Sequence, residues 1–97
     1  MVYKLLEPCR DYSFRDQMQR ASLSVMNNIS EGFERRTAKD FAHFLDLAKA
    51  FAGEVRSMAY AAEDDEILDP SRAKELRECF STLSKRIAAF QRHLRKP

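Results

Sequence analysis

The sequence predicts an all-α fold, one helical bundle with a shortened first helix, and three observations carry that reading. Capping chemistry marks three helix starts, and apolar residues between them recur with helical period. Glycine and proline number only two and three in 97 residues. At that length the chain is one domain, residues 1–97, with one core. A hydrophobic share of 44% is enough to fill that core, and a charged share of 33% clothes the solvated faces of its helices.

Ahead of the first cap, Val2, Leu5, Leu6 and Cys9 form a short apolar face that Pro8 and the segment to Tyr12 bring to an end. This reads as the closing turns of a first helix too short to be stable alone. It must dock on the other three helices, or the groove it leaves open must be covered by another subunit. Ser13 with Asp16 then fits a capping box, opening a helix over about 14–34 that buries Phe14, Met18, Ala21, Val25, Ile29 and Gly32. Thr37 with Asp40 repeats the pattern and opens a helix over about 38–63. Its apolar stripe of Phe41, Phe44, Leu45, Ala48, Phe51, Ala52, Val55, Met58 and Ala59 is wide, as a helix with neighbours on two sides requires. The acidic run Glu63-Asp64-Asp65-Glu66 opposes the helix dipole at a C-terminus, so it reads as termination plus loop. Asp69 before Pro70 is an N-cap followed by a proline at the first helical position, where the missing N–H costs nothing. The last helix, about 70–95, carries Ala73, Leu76, Phe80, Leu83, Ile87, Phe90 and Leu94, whose steps alternate between three and four as in a bundle seam.

Several function classes find no support. No apolar run approaches the roughly 20 residues of a membrane span, and no signal peptide is visible. Cys9 and Cys79 lack metal-ligand spacing, which leaves a reduced, cytoplasmic protein as the expectation. His43 and Asp46 sit three apart on the polar side of their helix and read as a surface pair. His93 has only cations and apolar residues near it in sequence, so neither histidine has a metal set. Cys79, beside Phe80 of the seam, reads as a partly buried small hydrophobe. No nucleophile with its base, no glycine-rich phosphate loop and no cofactor motif can be assembled, so no enzyme is expected.

The segment Asn27–Arg36 ends one helix, carries one of the two glycines and sets Asn28, Glu31 and Arg35 along the edge of an apolar stripe. Glu31 and Arg35 are an i,i+4 pair. The cluster reads either as a polar network orienting the turn into Thr37 or as a ligand or partner site. Gly32 either permits close approach or ends the helix in a left-handed residue. Basic residues gather in two places: Arg35, Arg36 and Lys39 around one interhelical turn, and Arg86, Arg92, Arg95 and Lys96 on the last helix. These are the candidate nucleic-acid-binding residues, since phosphate binding needs several cations on one accessible surface. A net charge of +2 is modest, and dipole complementarity at a helix C-terminus explains some of them. No aromatic interleaving is evident on these faces, so any RNA or DNA contact would be to the backbone and weakly sequence-specific.

Residues 18 to 48 resemble the core of the four-helix-bundle proteins encoded within bacterial 23S rRNA intervening sequences, a group that includes accessory proteins of diversity-generating retroelements. The residues carrying the resemblance are Asn28, Ile29, Ser30, Glu31, Gly32 and Arg35, then Asp40, Phe41, Phe44 and Leu45, with Glu54 and the stretch Glu66-Ile67-Leu68. The resemblance implies an up-down four-helix bundle assembled as a ring-shaped homopentamer, without established enzymatic activity, and a nucleic-acid or protein partner. Two functions follow as expectations. One is an oligomeric, nucleic-acid-associated scaffold. The other is a protein-interaction adaptor that takes a partner helix in the open groove near Phe51 and Val55.

Overall fold

The computed structural model describes Leu6 and residues 11–95. Those residues form three helices and no strand: α1 Tyr12–Phe33, α2 Ala38–Asp64 and α3 Pro70–Leu94. The all-α expectation stands. Val2, Leu5, Pro8 and Cys9, which carry most of the expected shortened helix, lie outside the described residues. Leu6 alone of that face is described, and it is helical and fully buried in the core. α2 packs along both α1 and α3, whereas α1 and α3 never approach within 8 Å between Cα atoms.

Two of the three expected caps hold. Thr37 Oγ1 accepts from the Asp40 N–H at 3.1 Å, and Asp69 Oδ1 accepts from the Arg72 N–H at 2.9 Å. The Arg72 backbone N–H, then its guanidinium, holds the Asp69 carboxyl below its ordinary range. The third cap moves. Asp11, not Ser13, caps α1 and accepts from the Phe14 N–H at 3.0 Å. A carboxylate satisfies the same orphan donor and also favours the positive end of the helix dipole, so the helix gains its first residues by starting earlier.

The acidic run terminates α2 through a specific backbone motif. The Ile67 N–H reaches Ala62 O at 2.8 Å and the Glu66 N–H reaches Glu63 O at 3.1 Å, with Glu66 at φ 57°. That is the paired hydrogen bonding of a Schellman ending, with glutamate in the left-handed position glycine usually takes. Ile67 and Leu68 then fold back onto the core.

The core lines up Met18, Ala21 and Val25 of α1 against seven buried residues of α2: Ala42, Leu45, Ala48, Ala52, Val55, Ala59 and Ala62. Alanine at five of those seven positions lets both neighbours approach closely. Phe41, Phe44 and Phe51, expected in the wide stripe, flank it half-buried. Val55 is fully buried, so it does not line an open groove. On α3 the seam departs from expectation. Ala73, Leu76, Phe80 and Ile87 are buried as expected, but Ser84 and Gln91 turn inward while Leu83 is half-buried and Phe90 is 39% exposed. A straight α-helix drifts by about 20° per heptad against a strict seven-residue repeat, which moves the inward line from 83 to 84 and from 90 to 91.

The two glycines have opposite roles. A Cβ on Gly32 would stand 2.7 Å from Phe41 Cδ1 and 3.3 Å from Phe44 Cβ, whereas one on Gly53 would meet nothing nearer than Arg56 Nη2 at 3.6 Å. Neither has positive φ, so Gly32 serves close approach and not a left-handed ending. Urea unfolding of Gly32→Ala is expected to show a loss of about 1–3 kcal/mol from overpacking. Gly53→Ala, on an accommodating stretch of helix, is expected to gain about 0.5–1 kcal/mol.

Candidate nucleic-acid interface

Antiparallel packing brings the end of α1, the start of α2 and the end of α3 to one end of the bundle. The turn between α1 and α2 is tight, closed by the Glu34 N–H to Glu31 O at 3.2 Å and the Arg35 N–H to Gly32 O at 3.1 Å. Above it Phe41 of α2 sits on Gly32 and joins both neighbours. Its ring centroid lies 4.8 Å from Phe33 of α1 and 5.3 Å from Phe90 of α3, in tilted and edge-on geometry. His93 continues the row, stacked on Phe90 at 6.3 Å. Phe33 is 66% exposed, so the row opens to solvent at its α1 side.

The expected polar cluster of Asn28, Glu31 and Arg35 divides in two. Asn28 donates from Nδ2 to Ser24 O at 2.8 Å, a local bond that consumes it within its own helix. Glu31 and Arg35 form an ion pair, and the Arg35 guanidinium lies 4.6 Å from the Phe44 ring centroid. Cation–π contact and ion pair together fix Arg35 over the α1–α2 corner. The string Asn-Ile-Ser-Glu-Gly thus builds the corner: Ile29 packs on the core, Glu31 holds Arg35 and Gly32 seats Phe41.

Of the seven candidate cations, five converge here. Arg36, Lys39 and Arg92 are exposed and have no acidic partner among the described residues. Arg35 is neutralised by Glu31, and Arg95 pairs with Asp46 at 3.3 Å. Lys39 and Arg95 share a hollow of about 400 Å³ with His43 and Asp46. Arg86 stands apart, in a hollow with Glu75, Glu78 and Cys79. Lys96 lies outside the described residues.

Aromatic side chains lie at the same end of the bundle as these cations but turn to another side: Lys39 and Phe41, and Phe90 and Arg92, stand two apart on one helix and point nearly opposite ways. Phe33 precedes Arg35 and Arg36, and Phe90 and His93 bracket Arg92, so each helix end carried a local signal. The packing joins the two helix ends through Phe41. Cations and exposed rings that share one end offer separate contacts to a phosphate backbone and to its unpaired bases.

Beneath this surface lies a polar network that sequence gives no hint of. Gln91, 1% exposed, donates from Nε2 to Ala42 O at 3.1 Å and to Asp46 Oδ1 at 2.6 Å, and its Oε1 accepts from Lys49 Nζ at 3.2 Å. Every polar atom of its side chain is engaged. Asp46 is therefore no partner of His43; it ties the buried amide to Arg95 at the surface. His43 instead meets the Phe44 ring edge-on at 5.6 Å.

Cys79 is half-buried, and burial pushes its thiol above the ordinary range, consistent with a small packing residue. Among the described residues no group of three or more His, Cys, Asp and Glu could hold a metal ion, and no helix is long and apolar enough to cross a membrane.

Gln91→Ala is expected to lose about 1–3 kcal/mol in thermal or urea unfolding, because it removes the buried bonds to Ala42, Asp46 and Lys49. Residues 1–89 match the family model described as 23S rRNA-intervening sequence protein. No curated protein and no solved structure matches the chain.

Proposed function

The chain belongs to the 23S rRNA-intervening sequence protein family, and from that premise we propose that it is a non-enzymatic, homo-oligomeric four-helix bundle that acts in the cytoplasm as a nucleic-acid-associated scaffold. The observation that carries this reading is the single end that holds both Arg36, Lys39 and Arg92, without acidic partners among the described residues, and the row of Phe33, Phe41, Phe90 and His93. Such a surface suits single-stranded RNA or DNA better than a duplex, since bases must be unpaired to stack. The full burial of Leu6, and the lack of close approach between α1 and α3, support the fourth helix of this reading.

Self-association is assigned to the outward face of α1. Tyr12, Leu23 and Met26 are 66%, 52% and 56% exposed. At 3.6 residues per turn they fall within about 60° of arc, a stripe with the look of an interface. In a ring of five copies, the arrangement the family resemblance implies, each basic end would be repeated around one axis and the fields would add. The adaptor reading has less support. Val55 is buried in the core, so a charge placed there would test folding and not docking.

Binding of a labelled oligouridine, followed by anisotropy across a salt series, tests the proposal. Affinity is expected to fall linearly on logarithmic axes, and the triple variant Arg36→Gln, Lys39→Gln, Arg92→Gln to flatten the slope by about 2. Phe33→Ala is expected to weaken single-strand binding by about 1–3 kcal/mol and to leave duplex binding nearly unchanged. Absence of salt-dependent binding by the native chain would overturn the reading.

Light scattering checks the assembly. The native chain is expected to exceed monomer mass at micromolar concentration, and Leu23→Glu with Met26→Glu to return it to a monomer of unchanged helicity. A native chain that scatters as a monomer would sink the oligomer.

A further inference from the structure

A groove of about 420 Å³ runs between α2 and α3, remote from the basic end. Its α2 wall presents Gly53, Arg56, Ser57 and Tyr60, and its α3 wall presents Lys74, Arg77 and Ser81, with Glu78 as the one acid in the lining. The three cations are not equivalent. Arg77 is already committed, paired with Glu63 and lying 4.4 Å from the Tyr60 ring centroid. Lys74 stands 3.9 Å from Glu78 with both side chains largely exposed, a pair that holds the ammonium only loosely.

Arg56 has no acidic partner among the described residues, and its Nε, with less than 1 Å² of exposed surface, makes no hydrogen bond. A guanidinium without an acidic partner keeps its full charge for an oxyanion that reaches its terminal nitrogens. The guanidinium lies beside Gly53, with Nη2 3.6 Å from where a Cβ would stand. The hydroxyls of Ser57 and Ser81 line the same groove from opposite walls.

We propose that this groove binds the phosphoryl group of a small phosphate monoester of nucleotide size. Arg56 is the anchoring cation, Lys74 the second charge, and the Ser57 and Ser81 hydroxyls the flanking donors. Cations and hydroxyls on both walls suit a tetrahedral oxyanion with three terminal oxygens better than a planar carboxylate. The volume falls in the range of small-molecule sites, roughly 300–1,000 Å³. Tyr60, 59% exposed, lines the same groove and carries Arg77 on one face of its ring, so a ring-bearing ligand has its edge and other face to meet. The site is separate from the basic end: Arg56 lies seventeen residues beyond Lys39 on the same helix, about 26 Å along its axis.

Titration of the full chain with AMP, followed by amide NMR shifts, tests the proposal. Saturable shifts are expected at Gly53, Ser57 and Ser81, with a dissociation constant below about 1 mM. Adenosine, lacking the phosphoryl group, is expected to leave them unmoved. Arg56→Gln is expected to weaken AMP at least about tenfold, and Arg56→Lys to weaken it less. Arg36→Gln with Lys39→Gln is expected to leave AMP binding unchanged, which separates this site from the basic end. Should Arg56→Gln not fold, Ser57→Ala with Ser81→Ala is expected to lower affinity several-fold. Linear shifts, equal shifts with adenosine, or unchanged affinity in both Arg56→Gln and the serine pair would overturn the proposal. So would saturation by oligouridine without saturation by AMP, which would assign the groove to the phosphodiesters of a strand.

Discussion

The contact between Gly32 and Phe41 fixes how closely α1 and α2 meet, and much of the bundle's working end follows from it. A methyl group there would stand 2.7 Å from the ring, so ring or helix would have to shift. With the ring seated on bare backbone, Phe41 reaches Phe33 on one side and Phe90 on the other. The same seating places Phe44 under Arg35, whose charge Glu31 holds in position. A single missing side chain thus organises three helix termini.

Below that end, the middle helix sustains the packing by being thin. Alanine occupies five of its seven buried positions, so α1 and α3 gain apolar contact by approaching its backbone and not by filling a wide gap. Thin packing gives little specificity of register on its own, since small residues slide past one another at low cost. The Gln91 network supplies the missing specificity. Its three bonds to α2 exist in one register only, and a one-turn slip would leave a buried amide unpaired.

Local chemistry was legible in the sequence, and long-range chemistry was not. Thr37 and Asp69 announced their helices because a cap is a relation among neighbours. Ser13 misled only because Asp11, two residues earlier, offers the same acceptor with a charge added. Helical period placed most of the core, but failed at Phe90 and Gln91. There the deciding partners, Ala42, Asp46 and Lys49, lie more than forty residues away in the chain. The basic residues were visible individually. Which of them keep their charge free, and that Phe33 and Phe90 meet across Phe41, became clear only from packing.

Because α2 touches both neighbours while they stay apart from each other, the described bundle is two helix pairs that share one member. Sub-global opening therefore has a natural seam. α1 can swing away while α2 and α3 remain docked, since the bonds from Gln91 and the Arg77–Glu63 pair all lie within the second pair. Amides of α2 and α3 should then exchange with solvent more slowly than those of α1. The partial opening would dissolve the aromatic end while sparing the phosphoryl groove. One small fold would thus hold two surfaces with separate thermal lifetimes, set by which helix leaves first.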